Sequence, residues 1–176
     1  MHPTVDVRPA TFRDVPGIRR VAHDAYHAAY GDLVDADALD AQLDEWYSED
    51  GVENRVLRDA STLLVADHPT DGVVGYASGG PTPTSESDPD PAPEQATLYT
   101  CYVHPDHWGD RVGHALLTAI EDALCDRGFE RMVVPVLAAN DRARAFYADH
   151  GYTHTDDDTI TFAGTTLDEA IHTGDL

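Results

Sequence analysis

Lysine is absent from this chain. All eleven basic side chains are arginine, set against 33 carboxylates, 25 of them aspartate, for a formal charge of −22. With no basic stripe to displace counterions from phosphates, nucleic acid is excluded as a partner class. Cysteine is scarce too. Cys101 and Cys125 both sit in apolar segments and cannot build a disulfide framework, which points to a reducing compartment. No apolar run approaches the ~18 residues of a membrane span, and the N-terminus lacks the basic-then-apolar pattern of an export signal. A cytoplasmic protein without a membrane partner is the expectation.

Missing lysine alone has a bland explanation in a GC-rich genome, which favours arginine codons. The aspartate excess is not explained that way, and it runs along the whole chain rather than gathering in a tail. Adaptation to molar salt fits better. At about 1 M the screening length shrinks to ~3 Å, so self-repulsion that would loosen such a chain in dilute buffer is largely cancelled. A halophilic source is therefore expected.

What is present suffices for one core: 176 residues with 41% hydrophobic content predict a single domain over 1–176. Alternation marks a strand at Val5–Arg8. Thr11 or Asp14 then caps a helix through Ala29, with Val15, Ile18, Val21, Ala22, Ala25 and Ala29 on one face. Further helices are predicted over Asp35–Trp46 and Gly51–Arg58, and strands over Thr62–Ala66 and Val73–Ser78. Residues 79–95, rich in Pro, Ser, Asp and Gly, read as a flexible surface loop. A strand at Ala96–Val103, a helix at Val112–Arg127, a strand at Arg131–Leu137 and a helix at Asn140–His150 follow. Thr155–Phe162 and Thr165–Ile171 read as a closing hairpin. Antiparallel hairpins and one strand–helix–strand crossover thus mix in an α/β unit.

The turn Trp108-Gly-Asp-Arg-Val-Gly113 opens the helix whose apolar stripe includes Val112, Leu116 and Ala119. Its first amides converge at the glycines and, with the helix dipole, make an anion site; alone, this is also an ordinary connection before a packed helix. Within the fifty residues from Val103 to Tyr152, the chain goes on to read Asn140-Asp-Arg-Ala-Arg-Ala-Phe-Tyr-Ala-Asp-His-Gly-Tyr152. The two segments together resemble the GNAT acyltransferase superfamily. The first is similar to its coenzyme A turn, Gln/Arg-x-x-Gly-x-Gly/Ala, and the second to its Asn-x-x-Ala…Phe-Tyr…Gly-Phe/Tyr signature. The turn departs from the pattern at Trp108, in place of Gln or Arg, and at Arg111, in place of the central glycine. Arg111 would widen the turn slightly, and its guanidinium would contact either a phosphate or a neighbouring carboxylate, Asp106 or Asp110.

The resemblance implies a mixed, mostly antiparallel central sheet flanked by helices on both faces, and transfer of an acetyl group from acetyl-CoA to a primary amine. It implies that Tyr102 and Val103 bind the pantetheine arm and that the amides of Gly109, Asp110, Arg111, Val112, Gly113 and His114, beside Trp108, hold the diphosphate. Asn140 and Arg142 would border the cofactor, Asn140 also capping its helix. Tyr26 and Tyr30 would contact the acceptor, a small-molecule or peptide amine, and the resemblance leans to a homodimer. Tyr147 is implied as general acid to the departing thiolate and a contact of the cofactor; its bland alternative is core packing. The family's usual strand glutamate is replaced by Thr97, leaving Glu94 or Tyr99 as base through water. Pro135 inside a strand fits a sheet that splays there, or an edge strand. His104 and His107, three apart with no third ligand nearby in sequence, are read as surface residues, and no metal is assigned. Cys101 as an acyl carrier is a rival; mid-strand among apolar neighbours, it is expected inert. A non-catalytic acyl-CoA sensor on the same fold is the alternative function.

Overall fold

A computed structural model describes residues 4–176. In chain order the elements are β1 (Asp6–Pro9), α1 (Val15–Tyr30), α2 (Ala36–Trp46), α3 (Glu49–Leu57), β2 (Thr62–His68), β3 (Gly72–Pro81), β4 (Gln95–Val103), α4 (Val112–Asp126), β5 (Arg131–Leu137), α5 (Asp141–Asp149), β6 (Thr153–Phe162) and β7 (Thr165–Asp175). Three helix starts follow from the residue before them. Asp35 accepts from the Ala38 amide at 3.0 Å, Ser48 from Gly51 at 3.1 Å and Asn140 from Ala143 at 3.1 Å, each satisfying an amide that the first turn leaves over. Ser48 is why α3 begins at Glu49, before the predicted Gly51.

The strands form one sheet in the order β1-β2-β3-β4-β5-β7-β6. Every neighbouring pair is antiparallel except β4 with β5, which α4 connects as a crossover. Side chains alternate between two cores. Leu64, Ala66, Val74, Met132 and Val134 meet Leu116, Leu117, Ile120 and Leu124 of α4 on one face. Val65, Val73 and Tyr76 meet α1, α2 and α3 on the other. Each fully buried Leu or Ile contributes roughly 1.5–3 kcal/mol relative to exposure. The mostly antiparallel sheet between helical layers is the architecture the sequence led us to expect.

The predicted loop was too long at both ends. Gly79, Gly80 and Pro81 belong to β3 and Gln95 to β4, leaving 82–94 as the connection. The glycines at this point serve close packing: a Cβ on Gly79 would lie 3.1 Å from Leu124 Cδ1 and 3.1 Å from the Thr97 carbonyl oxygen. β6 and β7 are also longer than predicted, starting at Thr153 and ending at Asp175.

Candidate active site

β4 and β5 pair only over Gln95–Thr97 and Arg131–Val133. Beyond those residues the two strands part, and Pro135, which has no amide hydrogen to offer, lies on β5 just past the last pair and opposite Ile171 of β7. The splay is therefore real, and β5 is an inner strand rather than an edge. The opening continues into a cleft of about 780 Å³ lined by the unpaired half of β4, the turn before α4, and α5.

At the mouth of the cleft stands the N-terminus of α4. Ala115 is the first amide bonded there, to the Arg111 carbonyl at 3.1 Å, and the amides of Val112, Gly113 and His114 precede it. No side chain caps this helix and no acidic residue stands in its first turn, whereas α2, α3 and α5 all carry one. In so acidic a chain, that bare positive helix end favours an anion over a cation.

Arg111 occupies an uncommon backbone conformation at the end of the turn. It takes φ 64°, ψ 16°, the left-handed conformation that glycine adopts freely, beside Gly109 at φ 88°. Holding a non-glycine residue in that conformation costs about 1–2 kcal/mol in backbone strain. The Arg111 side chain forms no ion pair or hydrogen bond among the described residues, and the residue lines the cleft. Asp110 is different from its neighbours: its amide donates to the His107 carbonyl at 3.3 Å, inside the turn, and the residue is not part of the cleft wall.

Trp108 donates its indole N–H to the Val103 carbonyl at 2.9 Å, and the Arg142 guanidinium lies 4.3 Å above its ring. Asn140 caps α5 and lines the cleft. His114 Nδ1 and His150 Nε2 are 2.9 Å apart across the cleft wall.

Tyr147, buried on α5, and Cys101 of β4 both line the cleft. Burial, then Cys101, pushes the Tyr147 hydroxyl well above the usual phenol range. Burial likewise pushes the Cys101 thiol up to about 12. The thiolate needed for acyl transfer is then present in roughly one molecule in ten thousand at pH 8, which removes Cys101 as a nucleophile.

A second cavity of about 710 Å³ is reached through the same opening, sharing Leu98, Tyr99, Thr100, Tyr102, Pro135 and Leu137 with the first. Tyr26 and Tyr30 line it, stacked at 5.3 Å, and Tyr102 lies 4.5 Å from Tyr26. Of the two expected bases, the structure brings Tyr99 to this cavity but not Glu94. Glu94 lines neither cavity, and its carbonyl accepts from Glu130 at the closed end of the β4–β5 pair. Tyr99 borders both cavities, but its hydroxyl donates to the Pro81 carbonyl. Thr97 is buried and donates to Thr82 at 2.9 Å.

Glu169 was missed. It lines the second cavity from β7, and burial, then Asp158, raises its pKa above the usual carboxylate value. The signal was present: Leu167, Glu169 and Ile171 share one face by alternation, so a carboxylate interrupts an apolar row.

His104 and His107 are not simple surface residues. His104 Nε2 is 2.7 Å from Asp24, and His107 Nε2 is 3.0 Å from Asp71. Partners absent nearby in sequence arrive from α1 and the β2–β3 turn. With His68, His107 and Asp71 form a group of metal-ligating type, as do His23, His27 and Asp40. Their atoms already serve each other: His68 Nδ1 accepts from the Asp71 amide at 3.2 Å, and Asp71 accepts from Thr70 at 3.1 Å.

The comparisons with known proteins agree with this geometry. The acetyltransferase (GNAT) family model matches residues 21–152. The chain belongs to the GNAT family. This GNAT protein is 28% identical over 165 residues to the uncharacterised N-acetyltransferase YuaI of Bacillus subtilis (strain 168), covering 94% of this chain and 90% of that one. Its fold is that of the PaiA N-acetyltransferase from Thermoplasma acidophilum in complex with coenzyme A, at TM-score 0.81, 18% identity and coverage of 98% and 99%. YncA from Salmonella typhimurium with acetyl-CoA follows at 0.68, 24% identity and 98% and 94% coverage. The protein is therefore an acyltransferase of the N-acetyltransferase type. No helix among the described residues is long and apolar enough to cross a membrane.

Proposed function

We propose that this GNAT protein moves an acetyl group from acetyl-CoA to a primary amine by direct attack in a ternary complex. The observation that carries this reading is the parting of β4 and β5 beside the uncapped start of α4. A diphosphate would lie on the amides of Val112, Gly113 and His114, with Arg111 as its charged partner. The pantetheine arm would follow the unpaired edge of β4 at Tyr102 and Val103, and Asn140, Arg142 and Trp108 would border the nucleotide. That PaiA carries coenzyme A and YncA acetyl-CoA supports the same cosubstrate here.

The amine nitrogen attacks the thioester carbonyl carbon, the carbon–sulfur bond breaks, the nitrogen loses a proton and the sulfur leaves as thiolate. Rate would come from holding the two reactants in line and from stabilising the charge that develops on oxygen and sulfur. Tyr147 would donate a hydrogen bond to the sulfur. Its raised pKa makes complete proton transfer uphill, so the role is stabilisation of the leaving thiolate rather than delivery of a free proton. No step calls for a metal.

The test is a titration of acetyl-CoA by calorimetry in molar KCl, with coenzyme A release followed across an amine panel. Binding and release with at least one amine is the expected result. The position of Glu94, outside both cavities, favours a second reading, an acyl-CoA sensor; binding without release under every amine would select it. We also infer that the charge of −22 suits a high-salt environment, so that unfolding temperature should rise as KCl is raised from 0.1 M to 2 M. Size-exclusion in the same salt decides the homodimer.

A further inference from the structure

Eleven arginines must answer 33 carboxylates in this chain, and most are engaged. Arg8 holds Asp14 and Asp67; Arg19, Arg20, Arg127 and Arg144 each donate to backbone carbonyls; Arg131 holds Gln95. Among the described residues only the side chains of Arg13, Arg58, Arg111 and Arg142 make neither ion pair nor hydrogen bond, and Arg142 is stacked on Trp108. Of the three left over, two line a cavity. Arg111 faces the cleft, where an anion is already expected, and Arg58 faces the second cavity. Arg55 lines that cavity as well, 4.7 Å over the Tyr47 ring and donating to the Trp46 carbonyl at 2.7 Å. The fold engages Arg55, but the Arg58 guanidinium faces the cavity with no hydrogen bond or ion pair among the described residues, and neither folding nor salt adaptation explains it.

Across the same cavity stands Glu169. Arg55 and Arg58 come from the end of α3, on the β2 side of the opening, while Glu169 comes from β7, on the other side of it in the sheet order. The floor between them is aromatic, with Tyr30 4.8 Å and Trp46 5.2 Å from Phe162. A lone amine needs only the carboxylate and the rings. The arginine pair adds a demand for a second, negative group.

We propose that this cavity is the acceptor site and that it takes a primary amine bearing a carboxylate at its far end, with the amine beside Glu169 and the carboxylate on Arg55 and Arg58. This rests on the acetyl-transfer reading and names its substrate class. Glu169 is raised above the usual carboxylate range by burial, then by Asp158, which suits a group that takes the amine's proton before attack. Tyr30 of α1 is the other titratable group that feels its charge. Arginine pairs carboxylate in a bidentate geometry that water does not match, so the preference should survive molar salt better than a surface attraction would.

The test compares kcat/KM for acceptors of equal length in 2 M KCl: an alkylamine, a diamine and an amino acid with its carboxylate distal to the amine. The amino acid should lead the other two by tenfold or more, and Arg58→Gln, on an exposed side chain, should collapse that ratio through KM. Glu169→Gln should lower kcat for every acceptor and flatten the acidic limb of the pH profile. A diamine or alkylamine preferred over the amino acid, or a ratio unmoved by Arg58→Gln, would overturn the proposal. Calorimetric binding of the same three amines to the acetyl-CoA complex decides the acceptor class separately. Absent coenzyme A release with selective amino acid binding would overturn the transfer reading alone.

Discussion

The Trp108 indole donates to the Val103 carbonyl at 2.9 Å, and through it the end of β4 is tied to the turn that starts α4. The same ring lies under Arg142 of α5, so one side chain links three elements around the cleft. An aromatic residue at this position therefore has a mechanical role that a backbone-only view of the turn does not reveal.

Removing that link should loosen the site in two steps. Trp108→Phe deletes one hydrogen bond, worth about 0.5–1.5 kcal/mol, and keeps the ring. Trp108→Ala also loses the cation–π contact, worth about 0.5–1 kcal/mol at an exposed site. Acetyl-CoA dissociation constants measured by calorimetry should rise a few-fold for the first and about tenfold for the second. Equal losses would mean that the indole N–H contributes nothing.

Arg111→Gly separates backbone from side chain. Relief of the left-handed conformation should raise the stability of the free protein by about 1 kcal/mol in urea titration. Loss of the guanidinium should at the same time weaken acetyl-CoA several-fold. Unchanged affinity would assign the whole anion site to the amides of Val112, Gly113 and His114.

Tyr147→Phe should lower kcat by about 100-fold while leaving acetyl-CoA affinity within a factor of two. Because burial raises this phenol, it remains protonated at every accessible pH. The wild-type rate should then show no alkaline loss belonging to Tyr147 below pH 10, and any such limb that vanished in the variant would contradict the assignment.

Asp14 ties β1 to the start of α1. Burial opposes its charge, but two hydrogen bonds from Arg8 at 2.8 and 2.9 Å and one from the Thr11 amide at 2.8 Å outweigh it, so its pKa is depressed. A depressed carboxylate contributes stability above its unfolded pKa, near ~3.9, and loses it as pH falls through the folded value. Asp14→Asn should cost about 1–3 kcal/mol at pH 7 and remove part of the acid-unfolding slope below pH 4, both read by urea titration in molar KCl.

Thiol chemistry gives a last check. Iodoacetamide at pH 8 should label exposed Cys125 in the native protein and reach Cys101 only after unfolding. Prompt labelling of Cys101 in the folded state would reopen the acyl-carrier route.

The turn at Trp108–Gly113 and the helix carrying Tyr147 could be read directly because their demands are local: a helix start, an amphipathic stripe and a spacing between two motifs. Gly79 and Gly80 misled for a related reason. In isolation glycine beside proline means a turn, and only the packed position of Leu124 shows that bare backbone is wanted inside β3. Glu94 was offered as base for its nearness in sequence, yet the register of Gln95 with Arg131 places it at the closed end of the strand pair.

From residues alone came the element order, the family, the glycine-containing turn before α4 and the net charge of −22, since periodicity, capping and composition act over a few neighbours at a time. Folding alone decided that β4 and β5 separate after three pairs, that Arg111 keeps a glycine's backbone, and that Glu169 shares a cavity with Arg55 and Arg58. Those side chains lie more than a hundred positions apart, and what joins them is the order of strands in the sheet, which no local pattern encodes.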